Sequence, residues 1–564
     1  MRWTLRDLPD KTQFQSFTDK LDINPQLLTL LLQRGIDSFE KAKQFFRPDL
    51  ADLHDPFLMR DMDKAVERIA KAVASKENIL IYGDYDVDGT TAVSLVYSYL
   101  REDYSNVATY IPDRYDEGYG ISYRGIDFAS DNDFSLIIAL DCGIKAIEKV
   151  AYASQKGIDF IICDHHRPGE HLPGAVAVLD PKRADCDYPY KELCGCGIGF
   201  KLIQALASTR GQSIQDLSHY LDLVAVAVAA DIVPITGENR ILTYYGLQQL
   251  NTNPRTGIRA LIQELKKKTL SITDVVFIIA PRINAAGRMK HGNHAVDLLI
   301  EKDFDKALEF AAQIEKFNAD RKSLDELITA QALQQIEKNN ELKNFTSVVF
   351  QEDWHKGVIG IVASRLIETH YRPTLVFTKN GAKLAASARS VSGFDIYNAL
   401  EACSDTIEQF GGHKYAAGLT LLEENYPRFK KQFEEFVKTT IPPELLSPQL
   451  KLDLEISLSD ITPKFYRILK QFAPFGPGNM KPVFMVRNVR DTGFGRKVGS
   501  DASHLKLQVT DGKITFDAIG FGLGDYYDAI KNENSFDIAF TLEENEWNGN
   551  ISLQLNLRDI RIAQ

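Results

Sequence analysis

The stretch "ILIYGDYDVDGTTAVSL", from Ile79 to Leu95, sets Asp84, Asp86 and Asp88 at alternate positions directly after an apolar run. Like charges that close repel one another unless something positive sits among them. Three more apolar runs end in the same way: Asp141 in "IIALDCG", Asp164, His165 and His166 in "IICDHH", and Asp231 in "AVAADIV". Read as strands, the four runs deliver their acids to four strand ends. Hard carboxylates with one or two imidazoles suit Mn²⁺ or Mg²⁺ better than a thiolate metal. Two such ions about 3.5–4 Å apart can activate a water and hold both the attacking and the leaving oxygen of a phosphoryl transfer. Asp141 is the candidate for a carboxylate shared between the ions. His166 stands where it can touch a phosphate oxygen or protonate the leaving group.

Blander readings compete. A single Asp at a strand end is usually a turn or cap residue, but here the acids coincide at four ends. "DYDVDG" also matches the opening of a calcium loop, yet Leu95 stands where that loop needs its twelfth-position Glu. Cys194 and Cys196 have no second cysteine pair nearby, so they give no zinc site.

These residues need elements to carry them. From "AVERIAKAVASKENILIYGDYDVDG" the chain alternates helix and short apolar strand, which implies a parallel sheet covered on both faces. In such sheets ligands bind at the carboxyl ends of the strands, where the acids fall. Residues 1–55 read as a helical segment ("NPQLLTLLLQRG", "SFEKAKQFF"), and 56–303 as the acid-bearing α/β domain. Residues 304–340 contain no Gly or Pro and read as one helix of roughly 50 Å joining two lobes. Residues 341–440 form a second α/β lobe, with strands "FTSVVF" and "PTLVFTK", a helix from Gly360 to Glu368 and the glycine-rich "FGGHKYAAG". After the proline-bearing "TTIPPELLSPQL", residues 450–564 alternate as short strands, which suits a small barrel or sandwich. The expected class is α/β: two α/β lobes joined by a long helix, plus a C-terminal OB-fold-like β-barrel.

Divalent metal points to phosphate, and other segments point to a long strand of it. "YIPDRYDEGYG" mixes Arg114 with Tyr110, Tyr115 and Tyr119, a set suited to stacking bases beside a phosphate. A loop that packs its tyrosines on the domain reads equally well. "PRINAAGRMKHGNH" offers Arg282, Asn284, Arg288 and Lys290 among small residues. "SARS" presents Ser387 and Arg389, whose fork suits a terminal phosphate. His413 follows Gly411 and Gly412, which allow close approach to a backbone. The chain's formal charge is −11, but between Lys481 and Lys506 six Lys/Arg, Arg496 and Lys497 among them, face two Asp. That local excess fits a groove tracking a nucleic-acid backbone. "MRWTLRDLPDKTQFQ" lacks an apolar leader core, and no run reaches the ~18 apolar residues of a membrane span. Six cysteines in 564 residues make no disulfide framework, so a reduced, cytoplasmic setting is expected.

Together these motifs resemble the DHH phosphoesterase superfamily, named for the Asp164-His165-His166 motif. The further blocks "LCGCGIGFKL", "AADIVPITGENR", "PRINAAGRM", "WHKGVIGIVASRL", "SARS", "GGHKYAAG" and "FAPFGPGNMKPVF", in that order, extend the likeness to its RecJ branch over nearly the whole chain. Cys196 departs from the small residue, such as Ala, expected in its block. The resemblance implies a hydrolase with two Mn²⁺ or Mg²⁺ ions that releases 5′-mononucleotides from the 5′ end of single-stranded DNA in recombination and repair. It implies Asp86, Asp88, Asp141, His165 and Asp231 as ligands, with Asp84 close by or ligating, and His166 as the catalytic or phosphate-contacting residue. It makes 56–303 the DHH domain, 341–440 the substrate-binding DHHA1 domain, and 450–564 an OB-fold that binds single strands. Single-strand-binding protein and a repair helicase are its implied partners, and a monomer its implied state. A hydrolase of short oligonucleotides and a catalytically inactive replication scaffold are the alternatives within the superfamily.

Overall fold

The computed structural model describes residues 1–18, 23–265, 267–531, 535–547 and 549–562. The remaining positions of the 1–55 and 450–564 segments lie outside the described residues. The chain divides into two compact units, one of 54–231 with 245–448, the other of 1–53, 232–244 and 449–564.

The first unit contains two sheets. Strands β1 (Asn78–Gly83), β2 (Val107–Tyr110), β3 (Phe134–Leu140), β4 (Asp159–Cys163) and β5 (Ala177–Leu179) lie in the order β2-β1-β3-β4-β5. All four pairings are parallel. Ile79–Tyr82, Leu136–Leu140 and Phe160–Cys163 are buried, and burial on both faces is why they read as unbroken apolar runs. Helix α1 (Val87–Asp103) starts at the end of β1, where the Asp86 carboxylate caps it by accepting the Gly89 N–H at 3.0 Å.

Asp231 departs from expectation. It is not at a strand end but is the C-cap of helix α3 (Leu221–Ala230), which follows α2 (Gly195–Thr209). A short apolar run buried on all sides looks the same to periodicity as strand or helix. The alanines of "AVAVAA" decide for helix.

Helix α4 (Ala280–Met289) carries the "PRINAAGRM" block, and α5 runs for 35 residues from Phe304 to Lys338. It buries Ala307, Ala311, Ile314, Asn318, Arg321, Asp325, Ile328, Ala332 and Ile336, a stripe at three-to-four spacing. The second sheet holds β6 (Ser347–Phe350), β7 (Thr374–Asn380), β8 (Lys383–Arg389), β9 (Gln409–His413) and β10 (Ala416–Leu422), in the order β9-β10-β8-β7-β6. Helix α6 (Ile359–Thr369) precedes β7. The β6–β7 pair is parallel and the other three are antiparallel.

In the second unit, β11 (Phe484–Asp491), β12 (Arg496–Val498), β13 (His504–Thr510), β14 (Thr515–Gly520), β15 (Phe536–Trp547) and β16 (Asn550–Ile562) follow one another in a sheet ordered β11-β15-β16-β14-β13-β12. A β11–β13 pairing (Arg490↔Thr510) closes the ring. A closed barrel of five principal strands is the OB-type architecture. The N-terminal segment is not purely helical: Arg2–Leu5 is a strand paired in parallel with Gln449–Leu452. A four-residue strand whose partner lies hundreds of residues away leaves no local signal. Arg240 is buried here, its guanidinium over the Phe45 ring at 3.9 Å and donating to the carbonyls of Phe45, Phe472 and Ala473.

Candidate metal centre and phosphate-binding cluster

The acids converge at the carboxyl ends of β1, β3 and β4. Three groups of side chains each bring their ligand atoms within 4.8 Å of one another: Asp84 with Asp86 and Asp141, Asp141 with His165 and His166, and Asp88 with His165 and Asp231. Asp141 belongs to the first two groups and His165 to the last two. His165 Nε2 lies 3.1 Å from Asp141 Oδ1, 3.6 Å from Asp231 Oδ2 and 3.8 Å from Asp88 Oδ2.

The backbone holds this crowd in place. Asp88 accepts the N–H groups of Gly195 and Cys196 at 2.6 and 2.7 Å, so the start of α2 supplies the partial positive charge beside it. Asp141 sits at φ +58°, a left-handed conformation that is uncommon for a residue with a side chain. Gly89 packs so tightly that a Cβ there would lie 2.4 Å from the Asp84 carbonyl oxygen.

Burial first, and then the neighbouring carboxylates, push Asp84, Asp88, Asp141 and Asp231 above the usual carboxylate range. Burial and His166 hold His165 below the ordinary histidine value, leaving a neutral imidazole. Both oxygens of Asp84, Oδ1 of Asp141 and Nδ1 of His165 are buried with no hydrogen-bond partner. Such groups are costly to leave unsatisfied. A hard divalent cation answers both the repulsion and the missing partners, so these residues fit the metal that their chemistry implies.

Asp164 plays a different part. It accepts the N–H groups of Ile144, His165 and His166, and its Oδ1 lies 2.8 Å from His166 Nδ1. Burial works the other way, but this pairing holds Asp164 below and His166 above their ordinary values. His166 is thereby aimed rather than buried, with 45% of its side chain exposed.

A cation cluster lies in the same unit. The Arg114 guanidinium stacks over the Tyr85 ring at 4.6 Å, and Tyr115 donates its hydroxyl to the Arg288 carbonyl. Arg288 donates to the Gly357 carbonyl at 3.1 Å, and burial with Arg114 and Arg389 nearby pushes it down to about 10. Across β8, β10 and β9, Ser387, Gly418 and Gly411 stand in one row and Arg389, Ala416 and His413 in the next but one. Gly360 at the start of α6 leaves room for them, since a Cβ there would lie 2.9 Å from Ser387 Oγ and 3.1 Å from an Arg389 nitrogen. Gly412 takes φ +145°, where an added Cβ would meet the Ala416 carbonyl at 2.4 Å. Burial and Arg114 also lower Arg389. Like charges this crowded call for an anion among them.

The other candidates are placed as follows. Arg282 turns to Glu315 on α5 at 2.6 Å, and Asn284 is half-buried on α4. Arg496 and Lys497 are exposed on β12 of the other unit, Lys497 lying 3.6 Å from Asp528. Gly195 is not among the expected site residues, and Tyr119 is expected only as one of the tyrosines suited to stacking a base. The only trace of Gly195 in the sequence is its glycine-rich block, and Tyr119 reads there as one tyrosine of several.

Family models match three parts of the chain: the DHH family N-terminal domain over residues 78–228, the DHHA1 domain over 342–439 and the RecJ OB domain over 452–559. The chain is 36% identical to the single-stranded-DNA-specific exonuclease RecJ of Bacillus subtilis (strain 168), over all of this chain and 71% of that protein. The crystal structure of RecJ in complex with Mn²⁺ from Thermus thermophilus is similar at a TM-score of 0.85 and 26% identity, covering all of this chain and 80% of that one. The Mg²⁺ complex from the same organism gives a TM-score of 0.78 at 25% identity, with 100% and 79% covered.

Proposed function

The chain belongs to the RecJ family of DHH phosphoesterases, and from that premise we propose that it is a metal-dependent exonuclease hydrolysing single-stranded DNA from the 5′ end to 5′-mononucleotides. The observation that supports the chemistry most strongly is Asp141, common to two ligand groups and buried with an oxygen that makes no hydrogen bond although His165 Nε2 stands 3.1 Å away. Asp84, Asp86, Asp88, Asp141, His165 and Asp231 would hold two divalent ions, Mn²⁺ or Mg²⁺. Bound there, the ions would supply Lewis acidity to the scissile phosphodiester and to the attacking water.

The chain's own groups do the rest. Arg114, Arg288 and Arg389 with Ser387 bind the 5′-terminal phosphate, and that fixes the direction in which the strand enters. Gly411 and His413 stand in the rows of Ser387 and Arg389, with Gly412 between them. Water adds to the phosphorus between the first and second nucleotides, and the bond to the first nucleotide's 3′ oxygen breaks. His166, held by Asp164, gives that oxygen its proton. The phosphate stays on the second nucleotide, which becomes the next 5′ end. The barrel, with Arg496 and Lys497, tracks the strand that follows.

Residues 56–303 serve as the DHH domain, 304–340 as the connector, 341–440 as the DHHA1 domain and 450–564 as the strand-binding barrel. The protein acts as a cytoplasmic monomer in recombination and repair, beside single-strand-binding protein and a helicase. Among the described residues no helix is long and apolar enough to cross a membrane. The reading is tested by comparing a free single strand with a blunt duplex of the same sequence in Mn²⁺. The single strand should be degraded about tenfold faster or more, and equal rates would overturn the assignment.

A further inference from the structure

The sheet that carries the acids has a cation beyond each of its edge strands. In the order β2-β1-β3-β4-β5, the three inner strands are followed by Asp84, Asp86 and Asp88, by Asp141, and by His165. Arg114 follows the edge strand β2, which ends at Tyr110, and Lys182 follows the opposite edge strand β5, which ends at Leu179. Four strand spacings set those edges roughly 19 Å apart. The two cations act on opposite flanks of the centre. Burial and Asp86 raise Asp84 while Arg114 opposes them, and burial with Asp88 and Asp86 raises Asp231 to about 8 while His166 and Lys182 oppose them.

The turn that bears Lys182 is firmly seated. Strands β4 and β5 pair in parallel with Cys163 opposite Leu179, and the Asp164 N–H donates to the Leu179 carbonyl at 3.0 Å. Asp180 is buried and accepts the Lys182 N–H at 2.7 Å. Arg183, next along, is buried too and reaches Asp61 at 2.6 Å. The backbone is thus fixed on both sides of Lys182, but its ammonium is not. It lies 3.8 Å from Glu192, beyond hydrogen-bond reach, with 28% of the side chain exposed.

The Arg114 flank takes the 5′-terminal phosphate, and the scissile phosphate lies over the acids. A strand laid across the carboxyl ends in that direction brings its next phosphate to the far edge. We propose that Lys182 forms a further phosphate subsite, which holds the linkage after the scissile one. This rests on the 5′-end reading given above. An ammonium suits the task, being a point charge on a flexible stem that holds a phosphate and reads no base. A plain surface pair with Glu192 would instead contribute little, and equally for every substrate.

The test uses the full chain at saturating Mn²⁺ with Lys182→Gln and Lys182→Arg. Substrates are pTpT, which has no linkage beyond the scissile one, pTpTpT, and pTpTpT with an uncharged methylphosphonate at its second linkage. On pTpTpT, Lys182→Gln should raise KM about tenfold with kcat and melting temperature held, the worth of a hydrogen bond to a charged group. The slope of log KM against log salt should fall by about 0.7, the share of one phosphate on a single strand. On pTpT the change in KM should stay below about twofold, and Lys182→Arg, which keeps the charge, should stay within about threefold on pTpTpT. The methylphosphonate should cost the wild type as much as the loss of the lysine does, and Lys182→Gln should then add less than about twofold. An unchanged KM on pTpTpT, an equal rise on pTpT, or losses that multiply with the methylphosphonate would each overturn the subsite while leaving the 5′-end reading in place. A wild type that frees the 3′ nucleotide of pTpTpT first would overturn that reading, and the proposal with it.

Discussion

Gly195 meets Asp141 at a distance that admits no side chain: a Cβ on the glycine would lie 2.5 Å from the Asp141 Cβ and 2.8 Å from its Cα. The Gly195 N–H also donates to Asp88 at 2.6 Å. One glycine thus seats two carboxylates of the centre. Gly195→Ala must shift either Asp141 or the start of α2, and a shift near 1 Å should cost about 100-fold in turnover. Oligonucleotide hydrolysis, with circular dichroism as the check on folding, measures it. A folded alanine variant that works at the wild-type rate would refute this packing argument.

Asp141 carries two costs at once, a left-handed backbone at φ +58° and a carboxylate crowded by Asp84, Asp86, Asp88 and Asp231. Asp141→Gly removes both. In EDTA the variant should melt higher than wild type, since the left-handed conformation alone costs about 1–2 kcal/mol. In Mn²⁺ it should be inactive. A lower metal-free melting temperature would show that Asp141 stabilises the fold instead of straining it.

Arg389 and Arg282 looked alike in the sequence and part company in the structure. Arg389 lies with Ser387 beside Arg114 and Arg288, whereas Arg282 is spent on Glu315. Arg389→Ala should raise KM for 5′-phosphorylated strands about 10-fold to 100-fold, the worth of a hydrogen bond to a charged group, and do less with a 5′-hydroxyl. Arg282→Ala should change KM about twofold at most, in line with a half-exposed ion pair. Kinetics on the two kinds of 5′ end, with both variants, decide between the sites.

Asp84, Asp86 and Asp88, Asp141 and the Asp164–His166 run were legible in the sequence because each ends a buried parallel strand, and such strands read as unbroken apolar runs. Helix α5 was legible because 35 residues without Gly or Pro leave little else to form. The helix before Asp231 was not, since full burial erases the periodicity that separates helix from strand. Nor was the Arg2–Leu5 strand, which depends on a partner near residue 450. Gly195 against Asp141, Tyr119 against His166 and Arg282 against Glu315 are all contacts across the fold. Residue type states what each side chain is able to do, and only the packing states what it faces.

Asp61 and Arg183 tie the helix Met62–Ala74 to the end of β5, with Nη1 to Oδ2 at 2.6 Å. Burial alone would raise Asp61, but hydrogen bonds from Lys64 and Arg183 outweigh it and hold it below its ordinary 3.8. A depressed carboxylate contributes stability that is fully present above the unfolded value and is lost as pH falls through the folded one. Asp61→Asn should therefore lower the melting temperature at pH 7, and its gap to wild type should narrow as the pH drops below 3.8. A gap that stays constant from neutral to acid would mean that the pair contributes by packing and not by charge.

The central claim is that the acidic centre and the cation cluster together consume a DNA strand from its 5′ end. The most direct measurement follows a single-stranded oligonucleotide, labelled at one end or the other, in Mn²⁺, Mg²⁺ or EDTA, with products sized over time. The 5′ label should appear at once as mononucleotide in either metal, the 3′ label should shorten one nucleotide at a time, and EDTA should stop both. Release of the 3′ label first, internal cuts, or undiminished cleavage in EDTA would contradict the account.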